Sequence, residues 1–347
     1  MGRTIVAIVA AATALALAAL PIVLALAAPP DLGGLAPRGE VTDSGRAINE
    51  VYWFVFGICT VVFLLVETVL ILFILRFRRR PTTPAETEGP QIHGNTRLEI
   101  IWTIIPAAIL AVVAVVVLVR TPAVEATSGD RSNEFVVRVE GHQFYWRYVY
   151  PDGQIALDTL VLPVDHPVRL EITSYDVNHS WWVPELTGKR DAIPGQLNVL
   201  RFRPETEGTY EGVCAEFCGI LHAVMPTTVE VVSEGELEQR LQALSGQDTG
   251  GDSQLALGRS SWESACAKCH GPEGGGDVGP PVAQNPSLVD EERLTQLLME
   301  GQDTPDVEGY MPPVGRGWPG FQVQALIAYI RSNEALAPAE QQDGGSG

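Results

Sequence analysis

The sequence predicts a multidomain membrane protein: a two-helix transmembrane hairpin, an external β-sandwich and an all-α C-terminal domain. Three observations predict it. Two long apolar stretches flank an arginine-rich segment, β-branched runs separated by turn signals follow Thr121, and a helical pattern with Gly/Pro-rich loops closes the chain. At 347 residues the chain is too long for one small domain and long enough for two folded units plus membrane segments.

Residues 1–28 carry Arg3, an Ala/Leu/Val-rich stretch and the small-x-small triplet Ala25-Leu26-Ala27, the pattern of a secretory signal; an uncleaved membrane helix is the alternative reading. Residues 29–122 hold the hairpin, with spans at about 51–75 and 100–119, each long enough to cross a bilayer. Arg76, Arg78, Arg79, Arg80 and Arg97 between them put that loop on the cytoplasmic side and everything after Arg120 outside. Glu67, inside the first span, is costly unless it faces a protein neighbour, which points to a partner subunit. Cys59 reads as a small core residue.

Residues 123–244 supply the sandwich. Phe135 to Val139, Tyr148 to Tyr150, Pro167 to Thr173, Leu197 to Phe202 and Thr227 to Val232 read as strands, with Pro151-Asp152-Gly153 as a turn. Glu234 to Leu244 is a short amphipathic helix, 245–254 a flexible linker, 255–336 the second folded domain and 337–347 a disordered tail. Such a tether would make contact between the two domains intramolecular, at an effective concentration near millimolar.

The formal net charge of -19 excludes nucleic-acid binding through a phosphate-neutralising patch. It suits either recruitment of basic protein partners or simple solubility. Four of the five cysteines form two close pairs near histidines, Cys214/Cys218 and Cys266/Cys269, a cofactor pattern rather than a disulfide framework.

The most informative stretch is Val213 to Pro226, with Cys214, Cys218, His222 and Met225. Thiolate, imidazole and thioether together select copper or zinc over hard cations, and the weak Met ligand favours copper. Spacing alone also allows a helical core stripe or a Cys214–Cys218 disulfide; Gly219 and the strand-like flanks argue for a loop. A further ligand must come from elsewhere. His179, in Asp176-Val177-Asn178-His179, is a candidate as a loop histidine after a strand, a setting that His142 and His166 lack.

This run, with Gly141-His142-Gln143 and Asp191 to Gly195, resembles the binuclear CuA centre of the cytochrome c oxidase subunit II family, over roughly Val51 to Ser233. The resemblance implies a cupredoxin-like sandwich in which Cys214 and Cys218 bridge two copper ions, His179 and His222 each cap one, and Met225 and the Glu216 carbonyl are weak ligands. It also implies a Glu216 carboxylate that helps hold magnesium at the boundary with subunit I. The family's tryptophan for electron arrival is replaced here by Phe144, so Trp146 or Tyr145 would take over that role, or serve only as core and rim. Glu99, in Glu99-Ile100-Ile101-Trp102, matches the family's carboxylate near a proton path, or is an interfacial carboxylate.

Cys266-Ala267-Lys268-Cys269-His270 is the attachment motif for a c-type haem: two thioethers, then His270 as the proximal ligand. No histidine follows, so the sixth ligand is sought among Met299 and Met311; Met311, beside Pro312-Pro313, is preferred. Residues 255–336 resemble class I cytochrome c, a family in which Pro280 would abut the proximal histidine.

Together these features imply subunit II of a proton-pumping oxidase, an oxidoreductase of the translocase type in a bacterial plasma membrane. Its partners would be subunit I, subunit III and an external donor such as a cytochrome c or cytochrome bc1 complex. Its cofactors would be two copper ions, covalent haem c and magnesium. A copper chaperone would not need His222, Met225 and a haem; nitrous oxide reductase would lack the two spans.

Overall fold

The structure is a computed structural model that describes residues 41–77, 91, 93–125, 131–247, 250–303 and 310–338. The leader 1–28 and Arg78, Arg79 and Arg80 lie outside these residues, as does the tail beyond 338. The chain divides into two compact units, one holding the long helices and the other holding residues 124–347 together with 39–46.

In the first unit, α1 (Asp43–Phe77) and α2 (Thr96–Glu125) are long and apolar enough to cross a membrane. Their apolar side chains point outward, Leu118 and Val119 being about three-quarters exposed, as suits a lipid-facing surface. Cys59 is exposed as well, so it faces outward and is not the core residue expected. Thr60, Thr68, Thr103 and Thr121 each return their hydroxyl to the carbonyl four residues back, so these four donors are satisfied within the helices. Glu50 and Arg120 pair at 2.8 Å and tie the start of one helix to the end of the other. Asn95 caps α2 by accepting from the Leu98 N–H (3.2 Å), and Glu99 reciprocates by accepting from the Asn95 N–H (3.1 Å).

In the second unit ten strands form two sheets. They are β1 (Phe135–His142), β2 (Tyr145–Val149), β3 (Ile155–Leu157), β4 (Thr159–Pro163), β5 (Val168–Ser174), β6 (His179–Trp182), β7 (Arg190–Ala192), β8 (Asn198–Phe202), β9 (Gly208–Cys214) and β10 (Pro226–Val232). One sheet runs β3-β2-β1-β5-β8 and the other β4-β10-β9-β6-β7. The β1–β5 and β4–β10 pairs are parallel, so the sandwich is mixed and cupredoxin-like. Alternation along β5 and β9 turns Leu170, Ile172, Tyr210 and Cys214 inward, against Val137, Leu160, Trp181 and Phe202 from the other strands. The short strands β3, β6 and β7 carry no alternating run long enough to be read from sequence; they exist because their neighbours supply the ladder.

After α3 (Glu234–Ala243) the chain turns and enters the helical domain: α4 (Asp252–Ser261), a π-helical turn over Trp262–Cys266, α5 (Ala267–His270), α6 (Glu291–Glu300) and α7 (Gly320–Ser332). A two-stranded ribbon joins β11 (Gln302–Asp303) to β12 (Tyr310–Met311). α4 crosses α7 so closely at Gly258 that a Cβ there would strike the Ala325 carbonyl.

The helical domain shares a core with the sandwich. Its core of Leu257, Trp262, Leu294, Leu298, Val323, Leu326 and Ile330 continues into Tyr145, Ile155 and Leu157 of the sandwich. Full burial of side chains of this size is worth roughly 1.5–3 kcal/mol each. Gln247, expected in the flexible linker, instead has its side-chain amide on both the N–H and the C=O of Ile155, at 2.9 Å each, closing the sheet edge as a further strand would. Beside it a buried network runs from Glu140 to Arg147, whose Nε donates to Gln322 Oε1 (3.1 Å), and from Gln322 to Ser261 (3.2 Å).

Candidate functional site

The run from Val213 to Pro226 is the end of β9, a loop, a short 3-10 turn over His222–Val224 and the start of β10, not one helix. Gly219 makes the loop possible: its φ is +133°, and a Cβ would come within 2.8 to 3.0 Å of Gln143 and the Phe144 ring. The loop folds Cys218, His222 and Met225 back onto Cys214. The two sulfurs lie 3.9 Å apart, far beyond the about 2.05 Å of a disulfide, and both cysteines are free. Around them stand His222 Nδ1 (3.6 Å from Cys218 Sγ), Met225 Sδ (3.8 Å from Cys218 Sγ) and the Glu216 carbonyl oxygen (3.3 Å from Cys214 Sγ).

His179 closes the set, its Nδ1 3.8 Å from Cys214 Sγ. It is the first residue of β6 rather than a loop residue, because β6 pairs with both β7 and β9 and so lies beside Cys214. His179, Cys214 and Cys218 bring three ligand atoms within 4.8 Å of one another, all buried. Gly141 leaves the imidazole its room, since a Cβ there would sit 2.8 Å from the ring.

Sequence reading assigned Asp176 no part, yet it orients this histidine: its carboxylate accepts from His179 Nε2 at 2.8 Å, turning Nδ1 toward the sulfurs. An acid three residues before a ligand histidine is the signal that was there to find. Burial would lower the His179 pKa, but the hydrogen bonds to Asp176 and Cys214 raise it. Hydrogen bonding between the two sulfurs, the largest influence, pushes the Cys214 thiol well below its ordinary range and pushes Cys218 up. Two thiolates, two imidazoles, a thioether and a carbonyl form a soft, enclosed donor set, which fits copper and leaves no nucleophile or base aimed at a substrate.

The aromatic residues proposed for electron arrival are not on the surface. Trp146 is fully buried with its ring edge-on to His179 (5.9 Å), and Tyr145 is fully buried under the helical domain. The Tyr145 hydroxyl donates to the Val314 carbonyl (2.5 Å) and accepts from Trp318 Nε1 (2.7 Å). Phe144 is 5% exposed. What does reach solvent at the rim is Phe217 and Ile220, 76% and 83% exposed. His142 stacks on Tyr145 and Tyr175, away from the donor set.

In the helical domain Cys269 lies in α5 and Cys266 just before it; burial pushes the Cys266 thiol up to about 12 and raises Cys269 as well. His270 Nδ1 donates to the Pro280 carbonyl at 2.7 Å, leaving Nε2 for an iron, and Gly279 fits closely against the ring. Met299 and Met311 both pack half-buried against the domain core, Met311 on β12 opposite Gln302. The motif's Lys268 reaches the sandwich, where Nζ donates to Asp158 Oδ2 (2.8 Å) and the Phe144 carbonyl (2.9 Å).

Comparison with known proteins follows this division. Residues 42–119 match the transmembrane domain of cytochrome c oxidase subunit II, 154–232 its periplasmic domain, and 253–330 the cbb3-type cytochrome c oxidase subunit III family. Copper and haem binding are consistent with these families. Two apolar helices and a periplasmic-domain match fit a membrane protein with an external domain. A solved structure of the periplasmic domain of subunit II of cytochrome oxidase from Bradyrhizobium japonicum is 30% identical, covering 33% of this chain and 96% of that one, with a TM-score of 0.32. Cytochrome c oxidase subunit 2 of Synechocystis sp. is 33% identical, covering 55% of this chain and 70% of that protein. Cytochrome c oxidase subunit 2 of Alkalihalophilus pseudofirmus is 30% identical over 295 residues, 80% of this chain and 85% of that protein. The chain belongs to the cytochrome c oxidase subunit 2 family and carries a cytochrome c domain at its C-terminal end.

Proposed function

We propose that the chain is the electron-accepting subunit of a proton-pumping cytochrome c oxidase of a bacterial plasma membrane. It takes electrons from an external donor, such as a cytochrome c or a cytochrome bc1 complex, at its haem domain. It passes them through the sandwich site to an oxygen-reducing subunit I, with subunit III alongside. The observation that carries the reading is the convergence of His179, Cys214, Cys218, His222, Met225 and the Glu216 carbonyl on one enclosed pocket. The same compact unit carries Cys266-Ala267-Lys268-Cys269-His270.

A copper pair in that pocket and a haem on α5 would supply one-electron chemistry. The protein's task is then to hold geometry. β6 and β9 fix His179 and Cys214 through the sheet ladder, and Asp176 sets the imidazole's orientation. Burial excludes water from the two sulfurs, so little rearranges when one electron comes or goes. Cys266 and Cys269 would carry the thioethers, with His270 and Met311 as axial ligands. The Glu216 carboxylate would help hold magnesium at the boundary with subunit I. Glu99, which caps α2, would also serve the mouth of a proton path. Phe217 and Ile220 give the rim an apolar face suited to subunit I.

Visible and electron paramagnetic resonance spectra of the purified, metal-replete oxidase test this. A haem c band together with a mixed-valence two-copper signal is expected. Zinc, a single copper ion or a Cys214–Cys218 disulfide would overturn it.

A further inference from the structure

Lys268 lies between the two haem-attachment cysteines, yet its ammonium is held by the sandwich. Its cup is built from both sides. Asp158 Oδ2 accepts at 2.8 Å while Oδ1 of the same carboxylate accepts from the Trp146 N–H at 2.9 Å, and the Asp158 N–H donates to the Trp146 carbonyl at 2.8 Å. The carboxylate is therefore fixed before the lysine arrives. The second acceptor is the Phe144 carbonyl, at 2.9 Å. One residue back, Gln143 donates from Nε2 to the carbonyl of Cys218 at 2.6 Å, and its own N–H donates to Asp176 Oδ2 at 2.6 Å. The ammonium and Gln143 thus engage the two ends of one short peptide segment.

We propose that Lys268 is a positioning residue for electron transfer: it seats the haem-bearing turn on the copper rim and, through the Phe144 main chain and the Gln143 side chain, completes a bonded route to Cys218. The inference rests on the relay reading above and deepens it. From Cys269 the route runs through the adjacent Lys268, its N–H···O bond to Phe144, the peptide to Gln143, and the N–H···O bond to Cys218, which is covalently continuous with its sulfur. Apart from those two hydrogen bonds every link is covalent. One electron moves: the haem iron is oxidised from ferrous to ferric, the copper pair is reduced by one equivalent, and no atom or proton transfers. The route makes no demand on the Phe144 side chain. The main-chain carbonyl is the group used, and the ring has only to fill the space beside Gly219.

The test uses the full oxidase in three variants: Lys268→Met, Gln143→Leu and Lys268→Arg. Three quantities are read: the rate at which the copper pair is reduced after rapid reduction of the haem, the midpoint potentials of both centres, and hydrogen exchange at the Ile155 amide. That amide donates to Gln247 and reports whether the domain stays docked. Lys268→Met and Gln143→Leu should each slow the internal transfer by about tenfold, a loss of the size that misplacing a positioned group produces. Potentials and Ile155 protection should not change, and Lys268→Arg should keep most of the rate. An unchanged rate in either of the first two variants overturns the route. So does a slowing that tracks lost Ile155 protection or shifted potentials, because docking or driving force would then explain it. If the unmodified haem does not reduce the copper pair at all, the relay reading falls and not the route alone.

Discussion

The two cofactor sites of the external unit obtain their geometry in opposite ways. The sandwich site is assembled from strands far apart in sequence, His179 and Cys214 being 35 positions apart, and only the β6–β9 ladder puts them side by side. The haem attachment is written in five consecutive residues, Cys266 to His270, with a carbonyl from Pro280 behind the histidine; only the proposed axial Met311 comes from farther along the chain. A site whose donors come from separate strands needs the sheet to preset them; a cofactor to be fixed by two thioethers brings its own geometry. The first should therefore be sensitive to changes in surrounding structure that the second ignores.

The strongest test of that contrast is removal of a bridging sulfur. Cys214→Ser should abolish the copper signal, a loss beyond the about 10–100-fold typical of changes around a ligand, and leave the haem spectrum intact. Loss of haem from this variant would break the contrast. Next is Arg147→Met, which removes one of the two guanidinium partners of the buried Glu140 carboxylate, leaving Arg138 Nε at 3.1 Å, and takes a donor from Gln322. Thermal unfolding of the chain in detergent should show a loss of about 1.5–3 kcal/mol, with helical domain and sandwich failing together. Asp176→Ala should lower copper affinity by about 10–100-fold, measured by chelator competition, without touching haem incorporation.

The smallest effect is one of pH. Burial alone would raise the Glu140 pKa, but His142 and Arg147 outweigh it and hold the carboxyl below its ordinary 4.5. A carboxyl with a depressed folded pKa adds stability that is fully present above 4.5 and disappears as pH falls through the lower folded value. Unfolding midpoints should drop over that acidic window and flatten there in Glu140→Gln.

Legibility in the sequence followed the same division. The hairpin, the sandwich and the helical domain were readable because each has its own hydrophobic period and its own turn residues. Cys214, Cys218, His222 and Met225 were readable because unlike soft ligands rarely fall so close together. His179 became convincing only through family resemblance, and its place on a strand was not visible because β6 is four residues long and pairs with non-adjacent segments. Asp176, Gln143 and the cup around Lys268 were silent for the same reason: each acts on a partner that only the tertiary fold brings near. The contact of Gln247 with Ile155 was silent because the Gly, Asp and Gln composition of 245–254 gives backbone preference and says nothing of what one side chain will meet.

The shared core at Tyr145, Ile155 and Leu157 bears on how this molecule can be dissected. Cutting the chain after α3 to obtain a simpler copper protein would leave a phenol without either of its partners and uncover fresh greasy surface along a bare strand. Such a fragment would self-associate. For this chain, helical domain and sandwich are best regarded as one folded object carrying both candidate cofactor sites.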